Sequence, residues 1–399
     1  MDFRFSDEQA LLRSSVREFA ETEIRPHVMA WDESQQFPHE LVPKLAVLGL
    51  MGIQVPEAHG GSGMPATSYC ICLEELARVC PAVALSVAAH NGLAVSHLSR
   101  FGNADQKARF LEPLARGQKI GAWALTESSS GSDAAHMRTT AIPVDGGWML
   151  NGNKTFITHG GVGHVVVVMA VTDKTAGKNG ISAFVLERGA PGVRTGRKEN
   201  KLGMRASDTC EVIFDNCFVP ASQLLGLAGS GFAQAMEVLD AGRIGIAALA
   251  VGLAQGALDA AMRYALDRQA FGHAIAHFEA IQWKLADAAT HVEAARLLTY
   301  RAAAQQESGQ HTTLASAMAK LFASEMAVRV AEDGIQIHGG YGFVKDYPAE
   351  KYYRDVKLLT IGEGTSEIQR LIIARELIRN LDPAHHDAAP ARPPVATEG

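Results

Sequence analysis

The 399-residue sequence is 47% hydrophobic and 20% charged, enough to bury a large core and to divide into two or three domains. Its formal charge of -6 at pH 7 argues against a protein built to coat nucleic acid or an anionic membrane, since phosphate neutralisation needs clustered lysine and arginine. Five cysteines, Cys70, Cys72, Cys80, Cys210 and Cys217, form no Cys-x-x-Cys pair and no Cys/His ligand spacing, so neither disulfides nor a metal site is expected and a reducing cytoplasm fits.

The first eight residues carry acids where a transit peptide avoids them and lack a secretory apolar run. Residues 6–120 read as helical, opened by a capping box at Ser6 and Gln9, with further helices over 38–50, 67–79, 82–100 and 104–116. From 121 to 231 the pattern changes to short β-rich runs, Gly147 to Phe156, Val165 to Val171, Ile181 to Leu186 and Cys210 to Val219, with a hairpin signal at Asp145-Gly146. Helical periodicity returns from 232 to 382 in segments 232–268, 278–307, 312–338 and 366–380, which predicts an antiparallel four-helix bundle. The apolar stretch Ile244 to Leu258 is rich in Gly and Ala and flanked by Asp240, Arg243 and Asp259, which predicts a buried helix and not a membrane span. Residues 383–399, rich in Pro, Ala and His, read as a disordered tail. The fold class is therefore mostly α with a central β domain. No Gly-x-Gly-x-x-Gly follows a strand, so a dinucleotide would need some device other than a Rossmann turn.

Six segments carry chemistry, and each has a plain structural reading beside it. Trp123 to Asp133 is dense in hydroxyls and free N–H groups and can cradle a phosphate or a flavin edge, or be a serine-rich surface loop. Asn151 to Gly161 sets Phe156, Ile157 and Thr158 at a strand end, where they can press on a planar cofactor or simply close the strand. Asp240 and Arg243, three apart on a helix, form an ion pair or face a polar ligand. Arg268 lies in a Gly-ended turn and can bind a carboxylate or pyrophosphate through its planar fork. Gln336 to Phe343 is a glycine helix stop that also allows close backbone approach. In Ile361 to Arg370, Ser366 and Gln369 read as a capping box, and Glu363, between two glycines before that helix, is either an accessible carboxylate base or a partner of the helix dipole.

Together, in this order, these segments resemble the acyl-CoA dehydrogenase family from near residue 6 to near residue 380, in its short- or medium-chain or short-branched-chain bacterial types. The resemblance implies an N-terminal helical domain, a middle β-barrel-like domain and a C-terminal four-helix bundle, assembled as a homotetramer, a dimer of dimers. It implies FAD contacts at Leu125, Thr126, Ser132, Phe156, Ile157 and Thr158, others donated across a subunit interface by Arg268, Phe271, Glu279, Gln336, Gly339 and Gly340, and Thr365 and Ser366 on the last helix. Acyl-CoA contacts are implied at Ser132, Asp240, Arg243 and Gly364, and Glu363 matches the base that removes the α-proton while a β-hydride passes to flavin N5. The product would be a trans-2-enoyl-CoA, with electrons passed to electron-transferring flavoprotein. Some branches place the base at the position of Gly242, which has no side chain. Ser128, His159 and Glu279 depart from the family's usual Pro, Asn and Gln, and Glu279 beside a pyrophosphate would call for a partner such as Arg268. Gly362, where many members carry Tyr, predicts a wider acyl pocket. An oxidase of the same fold would pass electrons to O₂; a nitroalkane oxidase would use Asp at the base; and a nucleic-acid-binding relative would carry a basic C-terminal region, against the charge of this chain.

Overall fold

The computed structural model describes residues 4–381, so the segment read as a tail lies outside the described residues. The first helix opens as its capping box requires: Gln9 N–H donates to Ser6 Oγ at 3.2 Å, and Ser6 N–H donates to Gln9 Oε1 at 3.1 Å. The N-terminal helices are α1 (Asp7–Phe19), α2 (Val28–Ser34), α3 (Leu41–Val47), α4 (Ala66–Val79), α5 (Pro81–Ala89), α6 (Ser96–Phe101), α7 (Ala104–Gln106) and α8 (Glu112–Ala115). Two helices expected to be continuous, 82–100 and 104–116, are each interrupted by a wider π turn, His90–Val95 and Lys107–Leu111. The first of these carries Asn91, whose side chain accepts from Ile53 N–H at 3.1 Å and donates to the Leu50 carbonyl at 2.9 Å, satisfying buried backbone that α3's end leaves open. Helix α3 stops at Val47, short of the expected 50, and Gly49 follows at φ 73°.

The middle of the chain is one twisted sheet in the order β6-β7-β3-β2-β4-β5-β8, with β1 paired in parallel to β4. Its strands are β1 (Gly121–Ala124), β2 (Thr140–Val144), β3 (Gly147–Thr158), β4 (Val165–Val171), β5 (Ile181–Glu187), β6 (Val193–Lys198), β7 (Thr209–Pro220) and β8 (Leu224–Leu225). The Asp145-Gly146 turn is where the hairpin signal placed it, pairing Val144 with Gly147 while Gly146 takes φ 74°. Strands β4 and β5 are buried on both faces, which explains why they read as continuous apolar runs. Strand β6 escaped the sequence reading because Arg194, Thr195, Arg197 and Lys198 make it an exposed, polar edge.

Helices α9 (Gly231–Asp267), α10 (Glu279–Glu307), α11 (Thr313–His338), α12 (Ala349–Val356) and α13 (Ser366–Leu381) follow, with a small hairpin of β9 (Gln269–Ala270) and β10 (His273–Ala274) between the first two. Among them α12 was not read from the sequence. Helix α9 is long and apolar enough to cross a membrane by composition, yet 89% of its most apolar window is buried within the fold, as expected of a core helix. One core unites α1, α4, α5, α9, α10 and α11. The N-terminal helices are also tied in by charge, because the buried Glu75 carboxylate of α4 receives Arg13 and Arg17 of α1, each at 2.7 Å.

Close approach of α4 and α9 depends on Gly252, where an added Cβ would lie 2.1 Å from the Glu74 carbonyl oxygen. Gly334 of α11 has its nearest neighbour, the Ala257 carbonyl oxygen, at 3.8 Å. The same substitution should therefore act oppositely at the two sites. Gly252→Ala is expected to destabilise by about 1–3 kcal/mol through overpacking, whereas Gly334→Ala should be neutral or stabilise by about 0.5–1 kcal/mol through helix propensity. Denaturant unfolding of the two variants checks this, and equal effects would count against the packing account.

Candidate active site

Three groups of residues emerge. The first is built on the β domain. Strand β3 slips in register against β7 between Lys154 and Ile157. This bulge puts Phe156 at φ 58° and turns its ring outward, 64% exposed, while Lys154 and Ile157 on either side point inward. The loop after β1 is joined to the bulge by a hydrogen bond from Thr155 N–H to the Thr126 carbonyl at 2.9 Å. The Lys154 ammonium, wholly buried, donates to the Leu125 carbonyl at 2.9 Å and to Glu127 at 2.8 Å. Glu127 in turn accepts from the N–H groups of Arg138 and Thr139 at 2.6 and 2.9 Å. Burial lowers Lys154 to about 8 against the pull of Glu127; burial pushes Glu127 upward, but Lys154 and the N–H donors outweigh it and leave it below the usual carboxylate range. Leu125, Thr126, Phe156, Ile157 and Thr158 are thus brought together on a braced frame. Ser132 is exposed on the neighbouring loop. His159, at φ 62°, is buried, with Nδ1 2.9 Å from the Gly121 carbonyl, and burial holds it below its usual range.

The second group surrounds Glu363. The residue stands at φ 51° and Gly364 at φ 90°, so the turn before α13 is left-handed at two successive positions. As a whole Glu363 is half-buried, but its Oε2 is covered and has no hydrogen-bond partner in the protein. The titrating atoms are the ones that matter, and their burial raises this carboxyl to about 7, against opposing pulls from Lys320 and Arg243. A Cβ at Gly242 of α9 would lie 2.4 Å from Oε2, so the carboxylate occupies the space that any side chain there would fill. Arg243, buried, pairs with Asp240 one turn back, as the plain reading of that pair anticipated, and its Nε is left without a partner. The expected Ser366–Gln369 capping box does not form. Helix α13 is capped instead by Thr365, whose Oγ1 accepts from Ile368 N–H at 3.3 Å. That places Ile368, not Gln369, at the boxed position. Gln369 turns back to donate to the carbonyls of Glu363 and Gly364 at 3.3 and 3.0 Å, and Ser366 Oγ is left buried and unpartnered. A Cβ at Gly362 would make ordinary contact with Leu358 at 3.5 Å.

The third group, Arg268, Phe271, Glu279, Gln336, Gly339 and Gly340, is exposed throughout, with Phe271 at 93%. The Arg268 guanidinium lies over Tyr341 at 5.8 Å, and both line a cleft of about 690 Å³ with Arg25, Arg263, His338 and Tyr347. Among the described residues Glu279 has no ion-pair partner within the chain, so a pairing with Arg268 is not made internally. The sequence reading missed Lys154, Glu127, Lys320 and Tyr69, and gave Gln369 a helix-capping role in place of its bonds to the turn; the only signal for the first was a lysine inside a strand otherwise apolar at alternate positions.

Residues 6–118, 122–217 and 229–378 match the models of the acyl-CoA dehydrogenase N-terminal, middle and C-terminal domains. The chain belongs to the acyl-CoA dehydrogenase family. It is 43% identical over 379 residues to the short-chain specific acyl-CoA dehydrogenase of Clostridium acetobutylicum, covering 95% of this chain and 100% of that one. Among solved structures it is similar, at TM-score 0.93 and 40% identity over 95% of this chain and 100% of the other, to butyryl-CoA dehydrogenase from Megasphaera elsdenii. A chain of the structure titled for the electron transferring flavoprotein of Acidaminococcus fermentans matches at TM-score 0.94 and 44% identity, over 95% and 100% of the two chains. This acyl-CoA dehydrogenase is an oxidoreductase with FAD as cofactor. Its residues fit that group: an outward apolar ring at Phe156, free hydroxyls at its sides, and an orphaned buried Ser366 hydroxyl at a helix N-terminus.

Because Lys154 and Glu127 are both buried, removing either leaves a bare charge, at a cost of about 3–5 kcal/mol. Lys154→Met is expected to lower stability by that order and to release FAD during gel filtration, read from the flavin-to-protein absorbance ratio. Retention of a full flavin complement at wild-type stability would contradict the bracing role.

Proposed function

We propose that this acyl-CoA dehydrogenase oxidises a short-chain acyl-CoA to its trans-2-enoyl-CoA, with Glu363 as the base. The observation that carries the reading is the Glu363 carboxyl, buried, unpartnered and raised to about 7 beside a residue with no side chain. An α-proton next to a thioester is a weak acid, and a carboxylate accepts it efficiently only when desolvation lifts its proton affinity toward working pH. FAD, held by Leu125, Thr126, Ser132, Phe156, Ile157, Thr158, Thr365 and Ser366, supplies the acceptor for the β-hydrogen and its electron pair. Asp240, Arg243, Ser132 and Gly364 are assigned to the acyl-CoA. Arg243 lends positive potential to the developing enolate side of the site, and its free Nε is a donor in waiting.

A short acyl group is supported by the relatives named for short chains and by Tyr69. Its hydroxyl, donating to the Ala88 carbonyl at 3.3 Å, stands 2.8 and 3.0 Å from where side chains of Gly245 and Gly92 would begin, closing the space behind the base. In this reading the room that Gly362 leaves on one side of the acyl group is offset by the bulk of Tyr69 on α4. We assign Arg268, Phe271, Glu279, Gln336, Gly339 and Gly340 to the cofactor of a neighbouring subunit in a homotetramer, since all are exposed and Arg268 lines a cleft to which Glu363 does not contribute. Electron-transferring flavoprotein is the proposed acceptor and the cytoplasm the proposed location.

Glu363→Gln should retain FAD and lose about 10²-fold or more of the anaerobic flavin-bleaching rate with butyryl-CoA; an undiminished rate would falsify the assignment. Only the ionised base accepts the proton, so kcat/KM for the wild type should rise with pH through about 7 and level off above it. A panel of C4 to C16 thioesters should bleach fastest at the short end, and the substrate class is wrong if long chains lead.

A further inference from the structure

Lys320 of α11 is fully buried. Taking an ammonium out of water is costly unless a counter-charge or a set of acceptors receives it. Among the described residues no carboxylate oxygen lies within ion-pairing distance of it, and its Nζ donates to one carbonyl, that of Gly364, at 2.6 Å. That carbonyl belongs to the residue following Glu363 and also receives Gln369, so α11 and α13 grip the left-handed turn from two sides. A conformation of that kind persists where surrounding contacts over-determine it.

We propose that Lys320 is a positioning residue for the base: it clamps the 363–364 turn through the Gly364 carbonyl, and its unpaired charge keeps the buried Glu363 ionised at neutral pH. The inference rests on Glu363 being the base. Other charged and titratable groups bear on this site from each element packed there. Arg243 of α9 is partly neutralised by Asp240; Glu325 of α11 is paired with Arg370 of α13 at 2.7 Å; Glu367 of α13 is exposed. Tyr69 of α4 is held neutral by burial first and by Glu363 second. Lys320 is left as the cation without a carboxylate of its own. The influence runs both ways: Lys320 heads the groups opposing the rise of Glu363, and Glu363 heads those opposing the fall of Lys320, which burial lowers to about 8.

Removing the cation while leaving the burial must raise Glu363 further and shrink its ionised fraction at pH 7. The test is the pH profile of anaerobic flavin bleaching by subsaturating butyryl-CoA in holoenzymes carrying Lys320→Met, Lys320→Gln, Lys320→Arg, Gln369→Leu and Glu363→Gln. For Lys320→Met and Lys320→Gln the rising limb should move to higher pH by about one pH unit or more, while Lys320→Arg keeps it in place. Gln369→Leu, which loosens the same turn without changing charge, should slow bleaching without moving the limb. An unmoved limb in Lys320→Met and Lys320→Gln, or an equal movement in Gln369→Leu, overturns the inference. Should Lys320→Met give no holoenzyme, Lys320→Gln, which keeps a donor for the carbonyl, carries the comparison. A fully active Glu363→Gln would strike the base assignment itself; an inactive one beside an unmoved limb in Lys320→Met strikes the role of Lys320 alone.

Discussion

The site turns on one constraint, a carboxylate kept out of water without a hydrogen bond. Such a group is expensive to hold, and the surrounding fold can be read as what makes it tolerable. Helix α9 must be bare at Gly242 for the carboxyl to fit, and the turn before α13 must adopt two left-handed residues to deliver it. Helix α11 brings a cation within electrostatic reach, and α4 lays the Tyr69 hydroxyl against Gly245 of α9, one turn from Gly242. Four helices far apart in sequence thus converge on two oxygen atoms. The bundle is more than a scaffold, because its helices control the proton affinity of the group between them.

The β domain solves the complementary problem of presenting an apolar ring to a partner while burying everything else. Its buried Lys154–Glu127 pair adds little net stability against an apolar pair of the same volume. What it does add is geometry: four hydrogen bonds fix Leu125, Glu127, Arg138 and Thr139 relative to β3.

Much of this was legible in the sequence, and unevenly so. Long periodic segments such as 232–268 and 278–307 fell within a residue or two of α9 and α10, because an apolar stripe repeated over many turns leaves little choice. Strands buried on both faces were equally plain. Edge strand β6 and helix α12 were not, since the polar residues of β6 face solvent and those of α12 are matched to ion pairs, Arg354 with Asp32 and the buried Lys351 with Asp355. At the site, Glu363 stood out through its flanking glycines, whereas Lys320 was invisible and Lys154 showed only as a lysine in an otherwise apolar strand pattern. A lysine in an apolar pattern is ordinarily read as a surface residue, and only the third dimension shows which carbonyl awaits it. The mistaken capping box has a similar cause: one residue's difference in where α13 begins reassigns Gln369 from the helix to the turn before it.

The bulge in β3 has a consequence for how this chain can vary. In an uninterrupted strand, residues 154 and 157 would face opposite ways, an odd number of steps apart. Both point inward here because one extra residue resets the alternation, and Phe156 is the residue displaced. The display of that ring is therefore a matter of counting as much as of chemistry. Substitutions at Thr155 or Phe156 change what is shown, but the spacing between Lys154 and Ile157 decides that something is shown at all, so this segment tolerates exchange of side chains more readily than a change of length.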